Sequence, residues 1–182
     1  MKKFYLIFVF LNFLLLIVPL CFSLSLQQNE KKYQASLFAN FPKSHILNLT
    51  QFKNDYDKIM IKKEKAYLLD VRTNPEFFAG HIQGTDHLSA GNIYTLPKYI
   101  KDPNVKIIVF CRTLNRSIYT VDQLMHYGYK NVWLFKGGIV AWIKKGYPLV
   151  NKFMGQFRVI DYHKFFSGIK MDPYRLRDFY RG

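Results

Sequence analysis

The residues with the plainest chemical use stand together in Cys111-Arg112-Thr113-Leu114-Asn115-Arg116-Ser117. The run before them, Val105-Lys106-Ile107-Ile108-Val109-Phe110, is short, apolar and rich in β-branched residues, which reads as a buried strand. Behind them Ile118, Val121, Leu124 and Met125 fall at helical spacing. A cysteine carried by a buried strand to a short polar loop at a helix N-terminus has loop amides and the helix dipole aimed at its sulfur. Two arginines, Arg112 and Arg116, lie within five residues of it. These features favour thiolate over thiol, and the thiolate is the nucleophile.

Other elements must hold that loop in place. Ala66-Tyr67-Leu68-Leu69 reads as a central strand that brings Asp70 and Arg72 to its C-terminal end, the edge where open α/β sheets bind ligands. Asp70 and Arg72 either border the pocket or act structurally, Arg72 paired with Glu76 and Asp70 holding loop amides; buried charges persist by being paired, which favours the second reading. Pro75 suits the first turn of a helix through Phe78, and Gly80 its end. His45-Ile46-Leu47-Asn48-Leu49 reads as a first strand and Thr50 as the N-cap of a helix through Phe52, Tyr56 and Met60. Asp86-His87 is a short strand-like piece, Leu96 to Pro103 a connecting helix and turn, and Asn131 to Phe135 a further strand. Gly137-Gly138 lets the backbone turn tightly into a helix carrying Trp142, read as core. Strands alternating with helical segments imply a parallel α/β sheet covered on both sides.

The blocks Leu68-Leu69-Asp70-Val71-Arg72, Glu76-Phe77 and Gly80-His81-Ile82-Gln83-Gly84 resemble the first half of a rhodanese domain. Ile107 to Cys111, the loop ending Asn115-Arg116-Ser117, Gly128-Tyr129, Asn131-Val132, Gly137-Gly138-Ile139, Ala141-Trp142 and Gly146-Tyr147-Pro148 resemble the second. The resemblance covers about His45 to Val150 and implies a rhodanese-like open parallel sheet with helices on both faces.

It also implies a chemistry. Cys111 attacks the outer sulfur of thiosulfate, with sulfite leaving, or of a persulfide or polysulfide donor, with a thiolate or the shortened polysulfide leaving, and a thiol or cyanide takes the sulfur in a second step. Amides of Arg112 to Arg116 would cradle the sulfur, Arg112 and Arg116 would hold the departing oxyanion, and Ser117 would add a hydrogen bond. Thr113, Leu114 and Asn115 complete the loop. His81 corresponds to the family's Gly-His-Ile histidine and is read as an anchor. No metal or organic cofactor is required. Phosphatases and arsenate reductases of similar fold carry five residues between cysteine and arginine; here four separate Cys111 from Arg116, a narrower loop that suits a sulfur atom. A non-catalytic binding module is the competing class; such domains lose the cysteine or the loop arginine, and both are retained. Leu114 stands where many members carry a small residue; if that position needs positive φ, leucine is strained there.

With 182 residues, 49% of them hydrophobic, the chain can build one ordinary core. The net charge of +15 favours anionic partners, but the basic residues are dispersed and no nucleic-acid recognition motif is visible. Lys2-Lys3 before the apolar run Phe4 to Leu20 reads as a signal peptide or membrane anchor over residues 1–23, placing the domain outside the cytoplasm, periplasmic or otherwise exported. That leaves Cys111 as the lone cysteine beyond the leader, where Cys21 lies. A polar linker follows over 24–44, then the rhodanese domain over 45–150. Residues 151–182 form a basic, aromatic extension, read as an extra strand and helix or as a surface for a partner protein or anionic membrane. Asn48-Leu49-Thr50 and Asn115-Arg116-Ser117 match the glycosylation sequon, a pattern too cheap to weigh.

Overall fold

The computed structural model describes residues 25–159. The leader or anchor and most of the basic extension fall outside those residues.

Helix α1, Leu26–Asn40, forms where a linker is expected. Ser25 N donates to Gln28 Oε1 at 2.8 Å and Gln28 N to Ser25 Oγ at 3.2 Å, a reciprocal cap at its start. Its Leu, Gln, Glu, Lys and Ala residues are good helix formers. None of them is buried, so the polar composition marked solvation rather than irregular backbone. The α/β body is a separate unit beginning at Asn40.

The body opens with a 3-10 turn, Lys43–His45, and a two-residue strand β1, Ile46–Leu47. Helix α2, Leu49–Met60, is capped by Asn48 rather than Thr50. Asn48 Oδ1 accepts from Gln51 N, and Gln51 Oε1 from Asn48 N, both at 2.9 Å. An Asn with Gln three residues on satisfies two amides reciprocally, which a single threonine hydroxyl does not. There follow β2 (Ala66–Asp70), α3 (Asn74–Ala79), β3 (Asp86–His87), a 3-10 segment (Ala90–Lys98), β4 (Lys106–Phe110), α4 (Asn115–His126), β5 (Val132–Phe135) and α5 (Gly138–Lys144). The connecting turns before β4 thus begin at Ala90, earlier than the expected Leu96.

Strands β1 to β5 make one sheet in the order β1-β5-β4-β2-β3, every neighbouring pair parallel. The central strand is β4, not β2 as expected from the sequence, because the short β3 covers only one flank of β2 while β5 and β1 both lie beyond β4. Ile107 through Phe110 are wholly buried. Successive residues point to opposite faces. Ile108 and Phe110 join Leu47, Leu68 and Phe135, with Phe52 of α2 and Ile139 and Trp142 of α5 packed over them. On the other face α4 packs on β4 and β5 through buried Ile118, Val121 and Leu124. The layered α/β architecture expected from the alternation is therefore present.

Past α5 the chain forms an antiparallel hairpin, β6 (Leu149–Asn151) and β7 (Gly155–Phe157). The expected extra strand is β7, and the boundary read at Val150 falls inside β6. The helix expected further on lies outside the described residues.

Phe52 is the keystone of the α2 face. Its ring stacks on Phe135 at 4.0 Å and meets Phe110 and Trp142 edge-on at 5.6 and 6.0 Å. Phe52→Ala should cost about 3–5 kcal/mol, read as a fall in the urea midpoint at unchanged slope.

Candidate active site

Strand β4 ends at Phe110, and the next residue, Cys111, begins a loop that reaches helix α4 at Asn115. The fold of this loop is set from behind, by helix α5. Cys111 O accepts from Ile139 N at 3.0 Å, Arg112 O from Val140 N at 3.1 Å and Thr113 O from Gly137 N at 3.1 Å. Three consecutive carbonyls are thus turned toward the N-terminus of α5. Gly138 makes that approach possible: its φ is +55, and a Cβ there would lie 2.3 Å from Cys111 O.

With the carbonyls drawn to one side, the loop amides are left for the other. Among the described residues no main-chain carbonyl accepts from the amides of Thr113 to Ser117, and Leu114, the N-cap of α4, offers no side-chain cap. The first amides of a helix have no partner within it, so this end of α4 is a cluster of donors beside Cys111. Leu114 has φ −150, so the positive φ that would strain a leucine there is absent.

Cys111 is 1% exposed, more deeply set than an accessible thiolate would be. Its surroundings are polar nonetheless. Its Sγ lies 3.6 Å from Ser117 Oγ, which donates to Leu114 O at 2.8 Å. Arg116 lies within electrostatic range of both Cys111 and Asp70.

Arg116 is half-buried and braced by Glu76 of α3. Arg116 NH2 donates to Glu76 Oε1 at 2.7 Å, and NH1 to Glu76 Oε2. Glu76 Oε2 also accepts from Thr73 N at 3.0 Å and Thr73 Oγ1 at 2.7 Å, as the third helical residue of a capping box. Burial alone would raise the Glu76 carboxyl, but the hydrogen bonds from Arg116 and Thr73 and the guanidinium charge overcome it and lower it to about 2. The Arg116 guanidinium is raised in turn, first by the Glu76 hydrogen bond, against its own burial, with the charges of Glu76, Cys111 and Asp70 assisting.

The sequence reading paired Glu76 with Arg72. The structure instead gives Arg72 to Asp70, from Nε at 2.9 Å and NH2 at 2.6 Å to Asp70 Oδ2, with both residues buried. Arg72 N also donates to Asp70 Oδ1 at 3.0 Å. The rest of the guanidinium reaches the carbonyls of Glu76 at 3.1 Å and Gly80 at 2.9 Å, tying α3 to the end of β2. Nε, NH1 and NH2 are thus all engaged by groups of the frame. Removing either partner would leave a buried charge uncompensated, at a cost of roughly 3–5 kcal/mol.

His81 anchors the next stretch. Its Nδ1 donates to Phe77 O at 3.1 Å, its ring stacks on Phe77 at 3.9 Å, and its main chain exchanges two hydrogen bonds with Val150 of β6. His87, which no sequence pattern singled out, stacks on Phe77 at 4.2 Å, and its Nε2 donates to Arg72 O at 2.9 Å. Gly80 lets the hairpin close in: a Cβ there would meet the Phe157 ring at 2.7 Å. Arg112, Thr113 and Asn115 line the exposed side of the loop, and Leu114 is half-buried. Of the two sequons, Asn48 is used as a cap and Ser117 is fully buried. Among the described residues no group of His, Cys, Asp or Glu is placed to hold a metal ion.

The depressed Glu76 carboxyl has a pH signature. A group lowered on folding contributes stability above its unfolded value and loses it as pH falls toward the folded one, here between about pH 4.5 and about 2. Urea midpoints at about pH 5 and pH 3 should therefore fall less in Glu76→Gln than in the parent chain.

Residues 39–145 match the Rhodanese-like domain family, well over half of the chain. A sulfurtransferase of Allochromatium vinosum is 33% identical over 91 residues, which cover 48% of this chain and 80% of the relative. A tRNA uridine(34) hydroxylase of Wigglesworthia glossinidia brevipalpis is 29% identical over 119 residues, covering 59% of this chain and 36% of that protein. The polysulfide-sulfur transferase of Wolinella succinogenes superposes with a TM-score of 0.52 at 24% identity, over 70% of this chain and 93% of that one, a likeness of fold. The family match spans more than half of the sequence, and the chain belongs to the rhodanese-like domain family.

Proposed function

We propose that the protein is a sulfurtransferase that moves a sulfane sulfur through a persulfide on Cys111. The observation that carries this reading is the loop itself, whose carbonyls are drawn to α5 while the first amides of α4 and the Arg116 charge stand beside the sulfur. Such an arrangement stabilises negative charge at one atom, first on the thiolate and then on the outer sulfur of a persulfide.

In the first half-reaction the Cys111 thiolate attacks the outer sulfur of a donor such as thiosulfate. A new S–S bond forms, the donor's S–S bond breaks, and sulfite leaves with the bonding electron pair. In the second, an acceptor thiolate or cyanide attacks the outer sulfur and Cys111 departs as thiolate, which gives ping-pong kinetics. In the resting thiol, Sγ donates to Ser117 Oγ; once ionised, the sulfur accepts from that hydroxyl instead. Arg116 is better suited to hold the loop and support the thiolate than to grip the leaving oxyanion, because its two terminal nitrogens are engaged by Glu76. The loop amides are left for the oxyanion, and the charge of exposed Arg112 at the same loop favours an approaching anion. The depth of Cys111 favours a donor that presents a single sulfur atom to a narrow cradle. The lysine-led apolar run at Phe4 to Leu20 supports placing this activity in an exported or membrane-tethered domain.

Incubation with thiosulfate followed by intact mass measurement should add the mass of one sulfur atom, which cyanide then removes as thiocyanate. Cys111→Ser should add none; a parent chain that also adds none would overturn the reading in favour of a binding module. Gly138→Ala should lower the loading rate by at least about tenfold, because a methyl group placed against Cys111 O must push the loop off the α5 amides. That loss is read from the time course of the same mass shift.

A further inference from the structure

Because every pair in the main sheet is parallel, all five strands begin at one edge, opposite the edge that carries Cys111. The segments leading into the strands gather there. Lys62, Lys63 and Lys65 precede β2, Lys98 and Lys101 precede β4, and Lys130 precedes β5; all six are exposed. None of them forms an ion pair among the described residues.

The carboxylates of this edge form no ion pair with these six lysines among the described residues. Glu64 and Asp55 both bind Lys106 at the start of β4, at 2.7 and 3.0 Å. Asp102 accepts from Asn104 N at 2.9 Å within its own turn. The connections are also tied into one surface. Lys130 N donates to Pro103 O at 2.8 Å, Asn131 Nδ2 to Asn104 O at 3.2 Å and Tyr129 Oη to Ile100 O at 2.5 Å. Apolar and aromatic side chains stand among the lysines: Ile61 is 62% exposed and Tyr99 75%, with Tyr127 beside them at the end of α4.

We infer that this strand-start edge is a docking face for an anionic lipid bilayer, which leaves the Cys111 edge turned to solvent. Lysines without an ion-pair partner among the described residues attract anionic headgroups, while tyrosines and an isoleucine suit the interfacial layer. The path of the chain argues for a membrane over other polyanions. The body starts at Asn40 and enters β1 at Ile46, on this same edge, after a sequence that carries the lysine-led apolar run Phe4 to Leu20. A chain inserted through that run keeps the body tethered at a lipid surface, which makes anionic headgroups the polyanion at highest effective concentration. The inference concerns orientation and does not depend on sulfur transfer.

The test is a lysine footprint of the full chain reconstituted in vesicles of phosphatidylcholine alone or with about one third phosphatidylglycerol. Acetylation by an N-hydroxysuccinimide ester is followed lysine by lysine. The six edge lysines should react at least about threefold more slowly in the phosphatidylglycerol vesicles, high salt should abolish the difference, and Lys136, which follows the C-terminal end of β5, should change little. In a Lys63→Glu, Lys65→Glu, Lys101→Glu chain the protection at Lys98 and Lys130 should disappear, while sulfur loading from thiosulfate stays at the parental level. Equal footprints in the two lipids would overturn the inference. So would protection by a single-stranded oligonucleotide but not by phosphatidylglycerol, which would give the edge to nucleic acid.

Discussion

The geometry of the site depends on three carbonyls drawn to one helix. A peptide unit that turns its oxygen toward α5 turns its N–H the other way, so the hydrogen bonds from Gly137, Ile139 and Val140 decide the direction of the donors around Cys111. Cys111 itself supplies little of this order. It sits where β4 runs out, and its polarity is imposed by a helix nearly thirty residues further along the chain. Gly138 is the point of contact, and the absence of its side chain is the condition on which both segments meet.

A second layer of order runs through charge. Asp70 and Arg72 are buried together and spend their bonding capacity on each other and on the carbonyls of α3 and Gly80. That pins α3 at the sheet's active edge, and α3 carries Glu76 into reach of Arg116. The two pairs therefore act in sequence, one fixing a helix and the other using that helix to fix a loop. Paired charges at low exposure contribute this kind of register more reliably than net stability. Pairing also leaves the site with few charges free to move, consistent with chemistry on a single atom.

Much of this was legible beforehand, and the failures share a cause. The buried strand before Cys111 was plain because its apolar run is unbroken, and the parallel α/β class followed from alternation of strands and helices. The family resemblance lay in local blocks, each of which marks one turn or strand end. The partner of Glu76 was misassigned because nearness in sequence favoured Arg72, whereas the capping box at Thr73 aims the carboxylate across to Arg116. The centre of the sheet was misplaced because strand order is a property of crossovers, not of any segment. At α1 the polar composition suited a linker and did not distinguish solvated helix from coil, which share a composition. The depth of Cys111 had no sequence signal at all; it follows from how tightly α4 and α5 close around the end of β4.

The hairpin lies past the segment that matches the family, yet it is woven into the frame. His81 and Val150 share a pair of main-chain bonds, Asn151 reaches Ala79 O, and Trp142 Nε1 donates to Pro148 O. The ring of Phe157 fills the notch that the bare backbone of Gly80 leaves open. Two positions seventy-seven residues apart have become mutually dependent: no larger residue can return to the first while the second is occupied, and emptying the second leaves a void. An appendage lodged in this way is entrenched, and its loss would require concerted change at both places.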